Sequence, residues 1–504
     1  MAGKEVQDGG TNIDGEEKVK HGFLRVLGDW GYTPAVRTTL LALALAACDR
    51  SADTGPVIVS AITGQSAPGT ADLSIRLLAD ATEQGLVRFD AAGQIEPGLA
   101  ERWIVIDEGR SYIFRLRPAE WPDATPVTAG QVATALTRRL TARSNPLRPY
   151  LTAVDEVVAM TPQVLEVRLD RQRPDLLKLF AQPEMAVVRS RIGGTGPLRL
   201  IADKPHPLLR PATDPARVDP DAPAATRPAD HVRLISERAA LAVARFSRRR
   251  ADLVSGGTFA SWPLVSAAEI RPADIRVDPA VGLFGMAVIS RDGFLAEAEN
   301  RAAISQALDR SAITAAVAPA WEPVDRILPE RLDSATPPTV PAWTLLTLDQ
   351  RRGAARALVR NHARPVRLRI ALPDGPGATI LYGRIAASLL AIGIIPERAG
   401  WTSPAELRLV DRVAPYDSAR WYLANACTPC SPDASAALAA ARDAPDVAAR
   451  GREIAAADRL LDADVAFIPI ARPLRWSLVG PRLGQWRPNG RAWHPLNRLR
   501  TDPR

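Results

Sequence analysis

Two stretches of this chain read as strand, helix, strand, and that order restricts the fold more than any other feature. His231–Ser236 has strand character, Ala239–Phe246 has helical spacing, and Ala251–Val254 returns to a strand. Val366–Leu372, Ala378–Ile392 and Ile395–Arg398 repeat the order. Short strands alternating with helices imply sheets covered by helices, which is the α/β class. Other segments agree. Val57–Ile62 reads as a buried strand, and Ala71–Gln84 is helical in spacing with Leu73, Leu77 and Leu78 on one face. In Tyr112–Arg117 the alternation puts Tyr112, Phe114 and Leu116 on one side of a strand. Thr128 with Gln131 forms a capping box that opens a helix carrying Val132, Leu136 and Leu140. Asn300–Ile313 is expected as one amphipathic helix with Ile304, Leu308 and Ile313 inward, and two helices are expected near Ala434–Ala444 and Val447–Leu461.

Prolines punctuate these blocks. Pro205, Pro207, Pro211, Pro215, Pro220, Pro223 and Pro228 make Asp203–Asp230 a long irregular loop, since each removes a backbone donor and fixes φ. A second proline-rich stretch runs from Ile327 to Trp343. A chain of 504 residues exceeds what one core holds, so two or three domains are expected. No repeat of fixed period occurs.

Chemistry is sparse. The net charge of +8 is carried almost wholly by arginine, because lysine occurs only at Lys4, Lys18, Lys20, Lys178 and Lys204. The arginines are scattered among Asp and Glu without interleaved aromatics, which is the pattern of solvated faces and ion pairs and argues against nucleic acid as a partner. There is no G-x-S-x-G elbow, H-E-x-x-H or Walker loop. His21, His206, His231, His362 and His494 stand far apart. No metal, cofactor or catalytic residue is therefore assigned, and an enzyme is not expected. Cys427 and Cys430, in Ala-Cys-Thr-Pro-Cys, are the one suggestive pair. In a reducing compartment C-x-x-C can serve redox or metal chemistry; in an oxidising one a local disulfide is the better reading.

Leu40–Ala47 is an apolar run too short to span a bilayer, and it ends at Cys48. It fits the h-region of a secretory signal, and Leu45-Ala46-Ala47-Cys48 resembles a bacterial lipobox. Residues 1–47 are then a signal region, and lipidation of Cys48 would hold the protein at a membrane. The acids between Met1 and Tyr32 suit a signal poorly, whereas a start at Val36 would leave residues 1–35 untranslated and give a compact signal. Asp49 resembles the residue that retains lipoproteins at the inner membrane.

From Leu86 to Leu136 the chain reads LVRFDAAGQIEPGLAERWIVIDEGRSYIFRLRPAEWPDATPVTAGQVATAL. This resembles the signature segment of bacterial extracellular solute-binding proteins of family 5, the peptide-binding components of ABC importers. The likeness continues through GGTGPLRL at Gly193, RFSRRRADLV at Arg245, NRAAISQALDRSAI at Asn300, LLAIGI at Leu389 and FIPIARPLRWSLVGPRL at Phe467. The resemblance implies a two-lobe periplasmic-binding-protein fold with an inserted domain. Lobe I would comprise 48–83, 195–276 and 469–504, the insert 84–194, and lobe II 277–468. It also implies a monomer in the periplasm, lipid-anchored to the inner membrane. There it would capture a peptide or peptide-like solute by hinge closure and deliver it to a permease and ATPase complex.

The family often uses the acid of an Ala-Asp-Tyr segment to hold a peptide's α-amino group. The corresponding stretch here is Ala414-Pro415-Tyr416-Asp417, so proline stands in the acid's place and Asp417 or Asp411 is left to substitute. Tyr416 and Trp421 are candidates for an aromatic wall, with core packing as the alternative. Gly256, Gly257 and Thr258 would line lobe I's side of the cleft, and Phe284 and Tyr150 are further candidates by position. Two other readings remain: a degenerate member that senses or interacts without a transported ligand, and a secreted enzyme on the same scaffold.

Overall fold

The computed structural model describes residues 55–64, 72–203, 205–212 and 227–500. Cys48, its apolar run and the tether behind it lie outside the described residues. Two mixed sheets dominate. The first runs, edge to edge, Leu198–Ala202, Leu208–Pro211, Val232–Glu237, Val57–Ile62, Leu253–Thr258, Arg475–Val479 and Ile275–Asp278. Val57–Ile62 lies parallel to both Val232–Glu237 and Leu253–Thr258, and the helix Ala239–Ser247 makes the crossover. The second sheet runs Ile395–Gly400, Arg367–Leu372, Leu407–Val413, Gly282–Val288 and Phe467–Ala471. Its parallel pair, Arg367–Leu372 with Ile395–Gly400, is joined by the helix Pro376–Leu390. These are the two strand–helix–strand units of the sequence, and the protein has the two-lobe α/β fold.

Between the first and second strands in chain order of the first sheet sits an inserted domain. Its centre is an antiparallel sheet of Ala100–Ile106, Ser111–Leu116, Val164–Leu169 and Val154–Thr161. Tyr112, Phe114 and Leu116 point inward, each under 4% exposed. The helix Ala129–Thr141 packs on this sheet, started by the Thr128–Gln131 capping box, with Val132 and Leu136 buried.

The chain crosses from the first sheet to the second between Asp278 and Gly282 and returns between Ala471 and Arg475. Two short crossings allow rotation of one lobe on the other while their strands stay intact. Gly282 is needed here, since a Cβ would lie 2.0 Å from the carbonyl oxygen of Arg412. Asp278, at the edge of the crossing, accepts from the Asn489 amide at 2.9 Å and meets His494 Nε2 at 3.1 Å, all buried.

The single helix expected over Asn300–Ile313 is corrected to two, Ala298–Ala307 and Arg310–Val317. Asp309 interrupts it by accepting from the Ala312 amide at 3.0 Å as an N-cap. Ile304, Leu308 and Ile313 are nonetheless fully buried, because the break preserves the direction of the apolar face. No helix among the described residues is long and apolar enough to cross a membrane.

Candidate ligand-binding site

The inserted domain and the helices after Val413 meet along one seam, and three of the sequence-predicted residues, Tyr150, Tyr416 and Asp417, lie on it. Tyr150, half-buried, ends a short helical turn of the insert; Tyr416 follows the strand Leu407–Val413. Their rings meet edge-on at 5.5 Å. Burial and the neighbouring Tyr150 drive the Tyr416 hydroxyl's pKa far up, so it is neutral. Asn425 Nδ2 donates to the Tyr150 hydroxyl at 2.9 Å. Gln182 Nε2 donates to the Pro415 carbonyl at 2.6 Å.

Asp417 stands at the centre of this seam. Lys178 of the insert donates to one carboxylate oxygen, and Arg491, near the C-terminus, donates to the other at 2.5 Å. Burial alone would raise the Asp417 pKa, but the Lys178 and Arg491 charges more than offset it and hold it below the ordinary carboxylate range. Asp411 faces Arg475 at 2.8 Å. There burial dominates over the arginine, and the carboxyl's pKa is raised. Both acids that could stand in for the one missing at Pro415 thus face cations of this chain.

The remaining candidates lie elsewhere. Phe284 is 1% exposed and packs with Phe259 and Trp321 at ring distances of 4.9 and 4.7 Å. Trp421 is 5% exposed, edge-on to Tyr422. Gly256 and Gly257 carry contact to Leu73 and Trp476: added Cβ atoms would lie 2.2 Å from Leu73 and 2.1 Å from the Trp476 ring. The Thr258 carbonyl accepts from Trp476 Nε1 at 2.9 Å. Just beyond, Phe259 and Ala260 meet the start of helix Pro376–Leu390 backbone to backbone, with the Gly377 amide donating to Ala260 at 2.9 Å. Glycine is required at 377 because a Cβ would sit 1.9 Å from the Phe259 carbonyl. Cys427 and Cys430 are joined by a disulfide, their Cα atoms 4.7 Å apart. Asp464 steadies that loop by accepting from the Ser431 amide and pairing with Arg291 and Arg301.

A cavity of about 20 Å³ lies where Tyr150 meets Tyr416, which is room for about one water. Its walls include Arg173 and Asp175 from the insert and Arg420, Arg442 and Arg450 from the opposite helices. None of these was legible as a site residue. Arg420 is on the helix Ala419–Ala426, whose first amide donates to Asp333 at 2.6 Å. Asp333 comes from the second proline-rich stretch and also pairs with Arg450 at 3.0 Å. Burial pushes the Asp175 carboxyl up to about 6 despite Lys178. A larger cavity of about 1180 Å³ lies at the Leu198–Pro211 edge of the first sheet and touches none of the predicted site residues.

The fold defines a class: the two-lobe α/β architecture of periplasmic binding proteins. The chain belongs to the bacterial extracellular solute-binding proteins, family 5, whose description ("family 5 Middle") matches residues 94–360, more than half of it. OppA of Haemophilus influenzae, solved in complex with RPPGFSPFR, superposes with a TM-score of 0.73 at 17% identity, covering 89% of this chain and 99% of that one. The Escherichia coli murein tripeptide binding protein MppA gives 0.74 at 18% identity, covering 88% and 98%. At such identities the likeness is one of fold. Among curated proteins, the "Probable deoxycholate-binding periplasmic protein YgiS" of Escherichia coli is 39% identical over 95 residues, 17% of this chain and 18% of that protein. The curated relative is therefore matched over less than a fifth of its length.

Proposed function

We propose that this protein is the solute receptor of an ABC importer. It would be tethered in the periplasm through lipid on Cys48 and close its lobes around a peptide or peptide-like solute. The observation that carries the proposal is the seam itself. Asp417, Asn425 and Pro415 on one side engage Lys178, Tyr150 and Gln182 on the other, across a cavity, with two short chain crossings as the hinge. Ligand capture by closure needs such contacts, because the closed state must form without the guest dictating the whole surface. The relatives named above are binding proteins, and no reacting group is asked of this site. The working division is a first lobe built on the seven-stranded sheet, an insert of 84–194 and a second lobe on the five-stranded sheet. The protein would act as a monomer, presenting its closed form to a permease and ATPase complex.

The test is thermal melting of the purified chain with di-, tri- and oligopeptides, with mass spectrometry of any co-purified guest. A true ligand at a hundredfold excess over its Kd adds about 2.7 kcal/mol of stability. A second reading, a family member that senses or docks without carrying a solute, is favoured by the engagement of Asp411 and Asp417 by internal cations. Absence of any guest or shift would select it.

A further inference from the structure

The walls of the cavity between Tyr150 and Tyr416 are over-supplied with positive charge. Four arginines line it. Arg450 is matched by Asp333 at 3.0 Å and Arg442 by Asp443 at 2.6 Å. Arg173 and Arg420 are each 8% exposed, and among the described residues neither has a carboxylate within 4.0 Å. Arg173 donates to the carbonyls of Gln172 and Arg442. Arg420 donates to the Pro149 carbonyl at a long 3.4 Å, lies 5.6 Å from the centre of the Tyr150 ring, and leaves its Nε without a partner. The one acid in the wall, Asp175, has Lys178 beside it at 3.8 Å.

A buried guanidinium without a counter-ion is costly, and a planar fork of donors matches the two oxygens of an acid. The acids that flank Pro415 are already paired within the chain, Asp417 with Lys178 and Arg491 and Asp411 with Arg475, so none stands free to take an amino group.

Resting on the receptor reading above, we infer that the guest is held by an acidic oxyanion group, a carboxylate or phosphoryl, clasped between Arg173 of the insert and Arg420 of the second lobe, and that it needs no free amino group. The two arginines come from opposite sides of the seam, so the acid bridges them and its charge favours closure. The cavity has room for about one water, so the acid requires the two arginines to stand further apart than they do here and enters as the lobes separate.

The experiment is isothermal titration and thermal melting of the full chain with three probes: N-acetylated dipeptide and tripeptide acids, the corresponding peptide amides with free amino groups, and inorganic phosphate. The acids are expected to bind and the amides to fail. A response to phosphate in place of the peptide acids would assign the oxyanion to a phosphoryl source. Arg420→Gln and Arg173→Gln are each expected to weaken acid binding on the order of a hundredfold. The melting temperature of the empty protein should hold or rise, because an unmatched buried charge is removed. Arg420→Lys should restore part of the affinity. A purely structural role would instead lower the empty protein's melting temperature and leave acid binding intact, which overturns the inference. Binding of the amides as tightly as the acids overturns it too, while leaving the receptor reading standing. Failure of all three probes overturns the inference, while the receptor reading falls only if the peptide screen and the search for a co-purified guest are also blank.

Discussion

Replacing Asp417 by Asn keeps the shape of the seam and removes the charge that two cations share. The Lys178 side chain is 35% exposed, so its contact is screened by solvent and is expected to contribute about 0.5 kcal/mol. Arg491 is 10% exposed and also donates to the Ala414 carbonyl at 3.2 Å, a better-shielded geometry expected to contribute about 1.5 kcal/mol. The sum of about 2 kcal/mol corresponds to roughly a thirtyfold fall in the ratio of closed to open protein. Protonation should imitate the substitution. Asp417 is held below its ordinary value in the closed form, so its contribution is present above the ordinary carboxylate pKa and is lost as pH falls through the lowered one. Small-angle scattering of the empty protein should therefore show Asp417→Asn expanded at neutral pH, and the wild type expanding toward it on acidification. Lys178→Met should give the smaller part of the effect and Arg491→Met the larger. Scattering curves that coincide for Asp417→Asn and wild type at neutral pH would refute the account of the seam as an electrostatic latch.

Gly257→Ala drives a methyl to 2.1 Å from the Trp476 ring, so the ring or the strand must move; calorimetry should record a loss of about 1–3 kcal/mol, and an unchanged melt contradicts the close approach. Phe284→Ala removes a ring 1% exposed from its contacts with Phe259 and Trp321, and denaturant titration should show a loss of about 3–5 kcal/mol. A small loss there, with ligand affinity abolished, would return Phe284 to the cleft. Asp175, pushed up to about 6, stabilises the fold fully below its unfolded value near 3.9, and that stability is lost as pH rises through 6. Stability should accordingly fall by at most about 3 kcal/mol between pH 4 and 6, and Asp175→Asn should flatten that slope.

Local order was legible where short-range physics decides it. The capping box at Thr128, the inward face of Tyr112, Phe114 and Leu116, and the two strand–helix–strand units need only neighbours a few residues apart. The break at Asp309 was also local, and its signal was present: Asp followed three residues later by a helical amide. The apolar period hid it, because Ile304 and Ile313 face inward on either side of the cap. Among the cleft candidates, aromatic type could not separate wall from core. Trp421 and Tyr150 carry the same promise in the sequence, yet one is 5% exposed and the other half-buried on the seam.

The charges across the seam were hidden for a different reason. In a chain with 64 basic residues, nearly all arginine, one more arginine carries little information. Arg173 and Arg420 are distinguished from Arg367 or Arg412 by burial alone, which arises from contacts between segments more than two hundred residues apart. Lysine is the exception. With five in the chain, Lys178 stands out in a background that otherwise uses arginine, and it is the one that reaches across to Asp417. An ammonium is a compact charge without a planar fork, suited to a single carboxylate oxygen that must be released when lobes part; a guanidinium is suited to hold both oxygens of an acid. Lys178 and Arg491 both meet Asp417 at the contact between the chain's own groups, whereas Arg173 and Arg420 line the cavity with backbone carbonyls but no carboxylate as partners.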